Sequence, residues 1–199
     1  MKPHDYRDLI ASYIETSFGS SGIVVYTEVS LGKTIIGKNR KLDLFALRKS
    51  DQRAIALECK YQAVPGTTDE KIPYALQDLE ALWIPGCLVY AGEGWSQGVL
   101  HTLEGSKRAV FCLPEAPALA RTLATRELDH VLAAVFGLWD EVISEERLFS
   151  KAAQVAQIAL PLKGGPKKVE PRPILADPKK AAEKNASSAE SVGEPVGLG

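Results

Sequence analysis

Along the first part of the chain the apolar residues change period from helical to alternating and back. Tyr6, Leu9, Ile10, Tyr13, Ile14 and Ser17 fall on one stripe at helical spacing, and the glycines and serines of 19–22 end it. Residues 23–29, rich in β-branched side chains and tyrosine, predict a strand. Two short apolar runs, 42–47 and 54–60, flank the polar stretch Arg48-Lys49-Ser50-Asp51-Gln52-Arg53 and predict a hairpin. After a loop over 62–69 the helical period returns in Ile72, Leu76, Leu79 and Trp83, with Pro73 tolerated in the first turn. Ile84-Pro85-Gly86 stops that helix, and 87–91 reads as a compact buried strand. A short helix near 95–103 and a strand at 109–113 complete the first half.

The hairpin carries the most informative spacing. With its midpoint between Ser50 and Asp51, positions pair by symmetry and Asp43 stands opposite Glu58. Alternation puts Lys60 on the same face, and Leu42, Leu44, Ala46, Ile55, Leu57 and Cys59 on the other. Phe45, Leu47, Ala54 and Ala56 share the charged face, so the sheet is expected to be covered on both sides, with its charges partly desolvated. Two carboxylates and an ammonium converging at one end of a hairpin suit oxygen ligation of a divalent cation. The competing reading is a solvated hairpin end with Glu58 and Lys60 as an ordinary surface pair.

Asp43 followed by Glu58-Cys59-Lys60 resembles the motif of the PD-(D/E)xK nuclease superfamily, which includes restriction endonucleases and several repair and recombination nucleases. The resemblance implies an α/β, restriction endonuclease-like core of order α-β-β-β-α-β, with a central mixed sheet flanked by helices. The predicted order of elements over 5–113 agrees with it. It implies that Asp43, Glu58 and Lys60 are catalytic and that Asp43 and Glu58 hold Mg2+, for which Mn2+ can substitute. The Cys59 main-chain carbonyl would also ligate, and Lys60 would assist the attacking water. Leu42 stands where the family's name has Pro. Glu-Cys-Lys-Tyr-Gln, followed by Gly66-Thr67-Thr68 and Glu70-Lys71, resembles a run in restriction-type members and points toward DNA.

Supporting residues follow from the same resemblance and from position. Many members bring a further acid from the first helix. Glu15 is the candidate, although on the helical wheel it projects almost opposite the apolar stripe; Glu28 competes with it. Gln62 shares parity with Glu58 and Lys60 and extends their face if the strand persists. Gln77 lies off its helix's apolar stripe, toward either the site or water. The basic loop with Lys38, Arg40 and Lys41 before Asp43 is a candidate phosphate contact, against the alternative of a solvated charge run.

Composition narrows the partners. The 199 residues carry 24 Lys and Arg against 25 Asp and Glu, a net charge of −1, so any DNA-binding surface must be local. Cys59, Cys87 and Cys112 lie in apolar runs without metal-ligand spacing and read as buried free thiols of a reducing cytoplasm. No signal region or membrane-length apolar run appears, so no membrane partner is expected, and no phosphate-binding glycine loop supports nucleotide hydrolysis. Residues 116–142 read as helical with a break near Gly137, and 144–160 as a second helix; these would pack on the core, mediate a dimer or contact DNA. The domain is expected to span 1–160, and the Pro, Gly, Ala and Lys-rich stretch 161–199 to be a disordered tail. The expected function is a Mg2+-dependent nuclease hydrolysing DNA phosphodiesters, an endonuclease of restriction, phage or repair type. Because cutting both strands calls for two active sites, a homodimer is a candidate assembly. The alternative is a non-catalytic DNA-binding or protein-interaction module on the same fold.

Overall fold

The computed structural model describes residues 1–66 and 68–143; the expected helix at 144–160 and tail at 161–199 lie outside the described residues. A five-stranded sheet of order β1-β2-β3-β4-β5 forms the centre. Its strands are β1 (Ile23–Lys33), β2 (Asn39–Arg48), β3 (Ala54–Tyr61), β4 (Gly86–Ala91) and β5 (Ala109–Phe111). The β1-β2 and β2-β3 pairs are antiparallel, while β4 and β5 continue parallel to β3. The parallel pairs need crossovers, supplied by α2 (Ile72–Glu80) between β3 and β4 and α3 (Gln97–Glu104) between β4 and β5. Helices α1 (Pro3–Phe18), α4 (Arg126–Phe136) and the short α5 (Trp139–Val142) complete the described fold.

Helix α1 starts with Pro3, whose missing N–H costs nothing in the first turn, and with Asp5 accepting the Lys2 backbone N–H at 3.1 Å. Its buried face is Tyr6, Ile10, Tyr13, Ile14 and Phe18; of the expected stripe Leu9 and Ser17 are only half-buried, and Phe18 joins it. That face packs with α4 residues Leu128, Leu132 and Phe136 on one side of the sheet, against Leu44, Ala46, Ile55, Leu57 and Cys59. Each large side chain buried there contributes roughly 1.5–3 kcal/mol. The other side is covered over β4 and β5 by Ile72, Leu79, Trp95 and Leu103 around Leu88 and Tyr90. The expectation of cover on both faces therefore holds over the second half of the sheet. Over β1 and β2 the ring pair Tyr26 and Phe45 is left partly open, with Tyr26 exposed.

Three expectations are corrected. Residues 116–125 are turns and irregular chain, and helix α4 begins at Arg126; Gly137, in the left-handed region at φ +69°, ends it where the break was expected. Helix α2 stops at Glu80, so Trp83 falls beyond it and is exposed rather than part of its apolar stripe. Strand β1 runs on to Lys33 and β2 begins at Asn39, so Arg40 and Lys41 are strand residues and only a tight turn remains of the expected loop. Backbone pairing of the two long strands continues outward through the polar pairs Ser30 with Lys41 and, past an irregularity, Lys33 with Asn39, until the Thr34–Lys38 turn closes the hairpin, with Gly37 at φ +79°.

A buried polar cluster locks α1 to α4. The Tyr13 hydroxyl donates to Asp129 Oδ1 at 2.6 Å, and Thr125 Oγ1 lies 3.2 Å from Oδ2. Burial pushes the Asp129 carboxyl above the usual range, which these hydrogen bonds only partly offset. Tyr13→Phe strips a buried carboxylate of its shortest hydrogen bond and should cost about 1–3 kcal/mol in urea unfolding. Asp129→Asn, which keeps an acceptor for Tyr13 and removes the desolvated charge, should cost less than Tyr13→Phe in the same measurement.

Candidate active site

The β2-β3 hairpin has the register expected from its symmetry: Leu47 pairs with Ala54, Ala46 with Ile55, Phe45 with Ala56 and Leu44 with Leu57. Pairing stops one step short of Asp43 and Glu58. On β3, the N–H groups of Ala56 and Gln62 go to the carbonyls of Pro85 and Ala91 on the β4 side. Cys59, of opposite parity, therefore points its N–H and C=O toward β2. Its N–H donates to Asp43 Oδ2 at 2.9 Å, so a carboxylate takes the place of a strand partner. The Cys59 carbonyl is left free of the β2 ladder on the same side.

Lys60 gathers this set. Its Nζ lies 2.5 Å from Glu58 Oε1, 3.4 Å from the Cys59 carbonyl oxygen and 3.7 Å from Asp43 Oδ2. All three side chains are half-buried. Burial pushes the Glu58 carboxyl up, offset in part by the ammonium of Lys60. For Lys60 burial acts downward, but the carboxylates of Glu58 and Asp43 outweigh it and raise its pKa above the ordinary lysine value. Cys59 itself is a buried thiol raised by desolvation and neighbouring carboxylates, so its backbone, not its sulfur, faces the chemistry. Cys87 and Cys112 are likewise buried and free, as expected.

A cleft of about 250 Å³ opens beside Glu58 and Lys60, between β2, β3 and α2. Helix α2 and the residue before it present Lys71, Tyr74, Ala75 and Asp78 to it, a stripe at three- and four-residue spacing. Asp78 is not among the residues expected from the sequence, and its expected neighbour Gln77 is exposed. The available signal was that stripe. Asp78 forms a bidentate pair with the buried Arg40, at 2.8 and 2.9 Å, and also accepts the Ile35 N–H at 2.8 Å. Those donors hold its carboxyl below the ordinary range.

The remaining expected residues are dispersed. Glu15 is exposed on α1. Glu28 sits beside Asp43 in the β1-β2 register, but its carboxylate is engaged by Arg7 at 3.1 Å and Lys41 at 2.8 Å. Lys38 is exposed in the hairpin turn. Strand β3 ends at Tyr61, yet Gln62 remains in the fold's interior, donating to Asp69 Oδ1 at 2.8 Å and the Gly94 carbonyl at 2.7 Å. Its Oε1 is buried without a partner among the described residues.

Two carboxylates and a main-chain carbonyl, all within reach of one ammonium nitrogen, form an oxygen donor set with charge −2. Among the described residues no group of three or more His, Cys, Asp or Glu side chains is placed to hold a metal. Carboxylate and carbonyl oxygens are the hard donors that divalent cations take. The sequence matches the profile of the PD-(D/E)XK nuclease superfamily domain over residues 2–139, more than half of the chain. The chain belongs to that superfamily, and its mixed five-stranded sheet with flanking helices is the corresponding α/β fold. No curated protein matches the sequence. A crystal structure of a protein of unknown function, AF1548, overlaps it at 14% identity and a TM-score of 0.37, covering 75% of this chain and 93% of that one. Among the described residues no helix is long and apolar enough to cross a membrane.

The Arg40 and Asp78 pair yields a pH prediction. A carboxyl depressed in the folded state contributes stability that is complete above its unfolded pKa and is lost as pH falls through its folded value. Arg40→Leu leaves Asp78 largely buried and unpaired, and should cost about 3–5 kcal/mol near pH 7. Urea unfolding should show that deficit narrowing as pH falls through the ordinary carboxylate range, with Asp78 taking up a proton first in the variant, where burial is no longer offset by Arg40, and only at lower pH in the intact protein.

Proposed function

We propose that this chain is a metal-dependent deoxyribonuclease that hydrolyses phosphodiester bonds, acting as an endonuclease. The observation that carries the reading is the convergence of Asp43, Glu58 and the Cys59 carbonyl on the position now held by the Lys60 ammonium. A cation centred among oxygens is the arrangement that those atoms support, and membership of the nuclease superfamily points the same way.

In this reading Asp43, Glu58 and the Cys59 carbonyl hold Mg2+ or Mn2+. The ion, when bound, lowers the pKa of a coordinated water and offsets charge on the scissile phosphate. Asp43 is oriented for this by the Cys59 N–H, which fixes one carboxylate oxygen. Lys60 supplies a positive charge beside both carboxylates, positioned to orient the attacking water and to stabilise charge that develops on the phosphate. Exposed Lys38, and Lys41 at the cleft, would contact flanking backbone phosphates, while Arg40 supports the wall through Asp78. Glu28 is the acid nearest in register to Asp43 and would serve only if released from Arg7 and Lys41. Two copies of the chain would supply the two sites that double-strand cleavage requires.

Cleavage of supercoiled plasmid in Mg2+ or Mn2+ tests the assignment. The intact protein should nick or linearise the plasmid, and Asp43→Ala and Lys60→Ala should each lower the rate by roughly 10²–10³-fold while unfolding cooperatively. Activity surviving in Asp43→Ala would refute the site. No cleavage of plasmid, branched or single-stranded DNA by the intact protein would return the chain to a DNA-binding module.

A further inference from the structure

The mouth of the cleft carries an apolar rim that the hydrolytic site does not use. Trp83 is 78% exposed and Ile36 59%, and Ile35 and Tyr74 are also open to solvent. These side chains are mounted on a fixed frame. The Ile35 N–H is tied to Asp78, which Arg40 holds in turn, and Thr34 and Tyr74 line the same cleft as Glu58 and Lys60. The Trp83 ring rests against Gly32, whose φ is +64°; a β-carbon there would lie 3.6 Å from the ring tip. Folding leaves these large apolar groups uncovered on the hairpin end and on the segment from α2 to Trp83 that flank the cleft.

The charges around that rim select its occupant. Lys33, Lys38 and Lys71 are exposed and form no ion pair among the described residues, and Lys71 lines the cleft itself. A chain of net charge −1 thus has free cations interleaved with aromatic and aliphatic side chains on one edge. A second copy meeting this rim about a two-fold axis would set those lysines against their own counterparts. An intact duplex offers the rim phosphates and groove edges but no base faces. Unpaired bases offer both a polyanion and π-faces to stack on aromatic rings.

We infer that this rim binds unpaired bases, so that the favoured substrate presents single-stranded DNA next to the scissile phosphate, as at a branch, flap or strand end. The inference rests on the nuclease reading for its scissile phosphate, but the rim is read by binding alone. Trp83 and Tyr74 stack on the displaced bases, Ile35 and Ile36 wedge against the adjoining paired step, and the lysines follow the backbone.

Fluorescence anisotropy of the full chain with labelled oligothymidylate and a blunt duplex of matched length, in EDTA, tests it without cleavage. The single strand should bind more tightly than the duplex. Trp83→Ala should weaken single-strand binding roughly 5- to 100-fold, with duplex binding changed less than about twofold and Trp83→Phe restoring most of the loss. Equal affinity for the two DNAs, unchanged by Trp83→Ala, overturns the inference while leaving plasmid cleavage to judge the nuclease reading. So does a Trp83→Ala shift from dimer to monomer in sedimentation, which would assign the rim to self-association.

Discussion

Where β2 and β3 part, the Cys59 N–H is held by the Asp43 carboxylate at 2.9 Å, and the site depends on that exchange of a backbone acceptor for a side-chain one. Had the ladder continued, both polar groups of Cys59 would have been consumed by β2, leaving no carbonyl to face the cleft. The substitution satisfies the donor and spares the acceptor. It also ties one oxygen of Asp43 to the backbone. Upstream of it stands the hairpin register: a one-residue slip would send Glu58 and Lys60 to the face filled by α1 and α4 and bring Leu57 and Cys59 to the cleft. The apolar set Leu44, Ala46, Ile55 and Leu57 makes that slip costly, so the core on one face enforces the chemistry on the other.

This dependence explains what could be read from the residues. Alternation in two short runs and a polar midpoint are local properties, and they determine the pairing of Leu44 with Leu57 and therefore the neighbourhood of Asp43, Glu58 and Lys60. The stripe of Tyr6, Ile10, Tyr13 and Ile14 is equally local, as is Gly137 as a helix stop. Nonlocal facts were less accessible. Nothing adjacent to Asp78 announces Arg40, which is distant in sequence and on a strand; the stripe of Lys71, Tyr74, Ala75 and Asp78 separates Asp78 from Gln77, but what that stripe faces emerges only with β2 in place. Residues 116–125 carry apolar side chains at spacings compatible with a helix, yet tertiary packing leaves them as turns. Trp83 extended an apolar stripe in sequence, but the helix stopped before reaching it.

Charge is sorted by depth around the cleft. The buried and half-buried cations meet carboxylates: Lys60 with Glu58 and Asp43, Arg40 with Asp78. Exposed Lys33, Lys38 and Lys71 have no such partner among the described residues. Desolvated charges must be compensated, whereas exposed ones are hydrated at little cost. The near-zero net charge is therefore compatible with a locally positive rim over an acidic floor, an arrangement suited to a polyanion outside and a cation within.

Lys60 also depends on a second anchor, on the far side from Asp43. The Gln62 N–H goes to Ala91, its carbonyl accepts from Gly94 and its side-chain amide donates to Gly94 and Asp69. The approach is so close that a β-carbon at Gly92 would lie 2.2 Å from the Gln62 carbonyl, and one at Gly94 2.5 Å from the Val64 backbone. Only glycine permits that contact at both positions. The end of β3 is thus clamped through Cys59 on one side and Gln62 on the other, with Lys60 between them. The unpartnered Gln62 Oε1 is a cost of that clamp, because the amide's two N–H groups are committed to Asp69 and Gly94 and its oxygen is carried into the interior with them. The backbone that carries Lys60 between two carboxylates and a carbonyl is thus held at both ends.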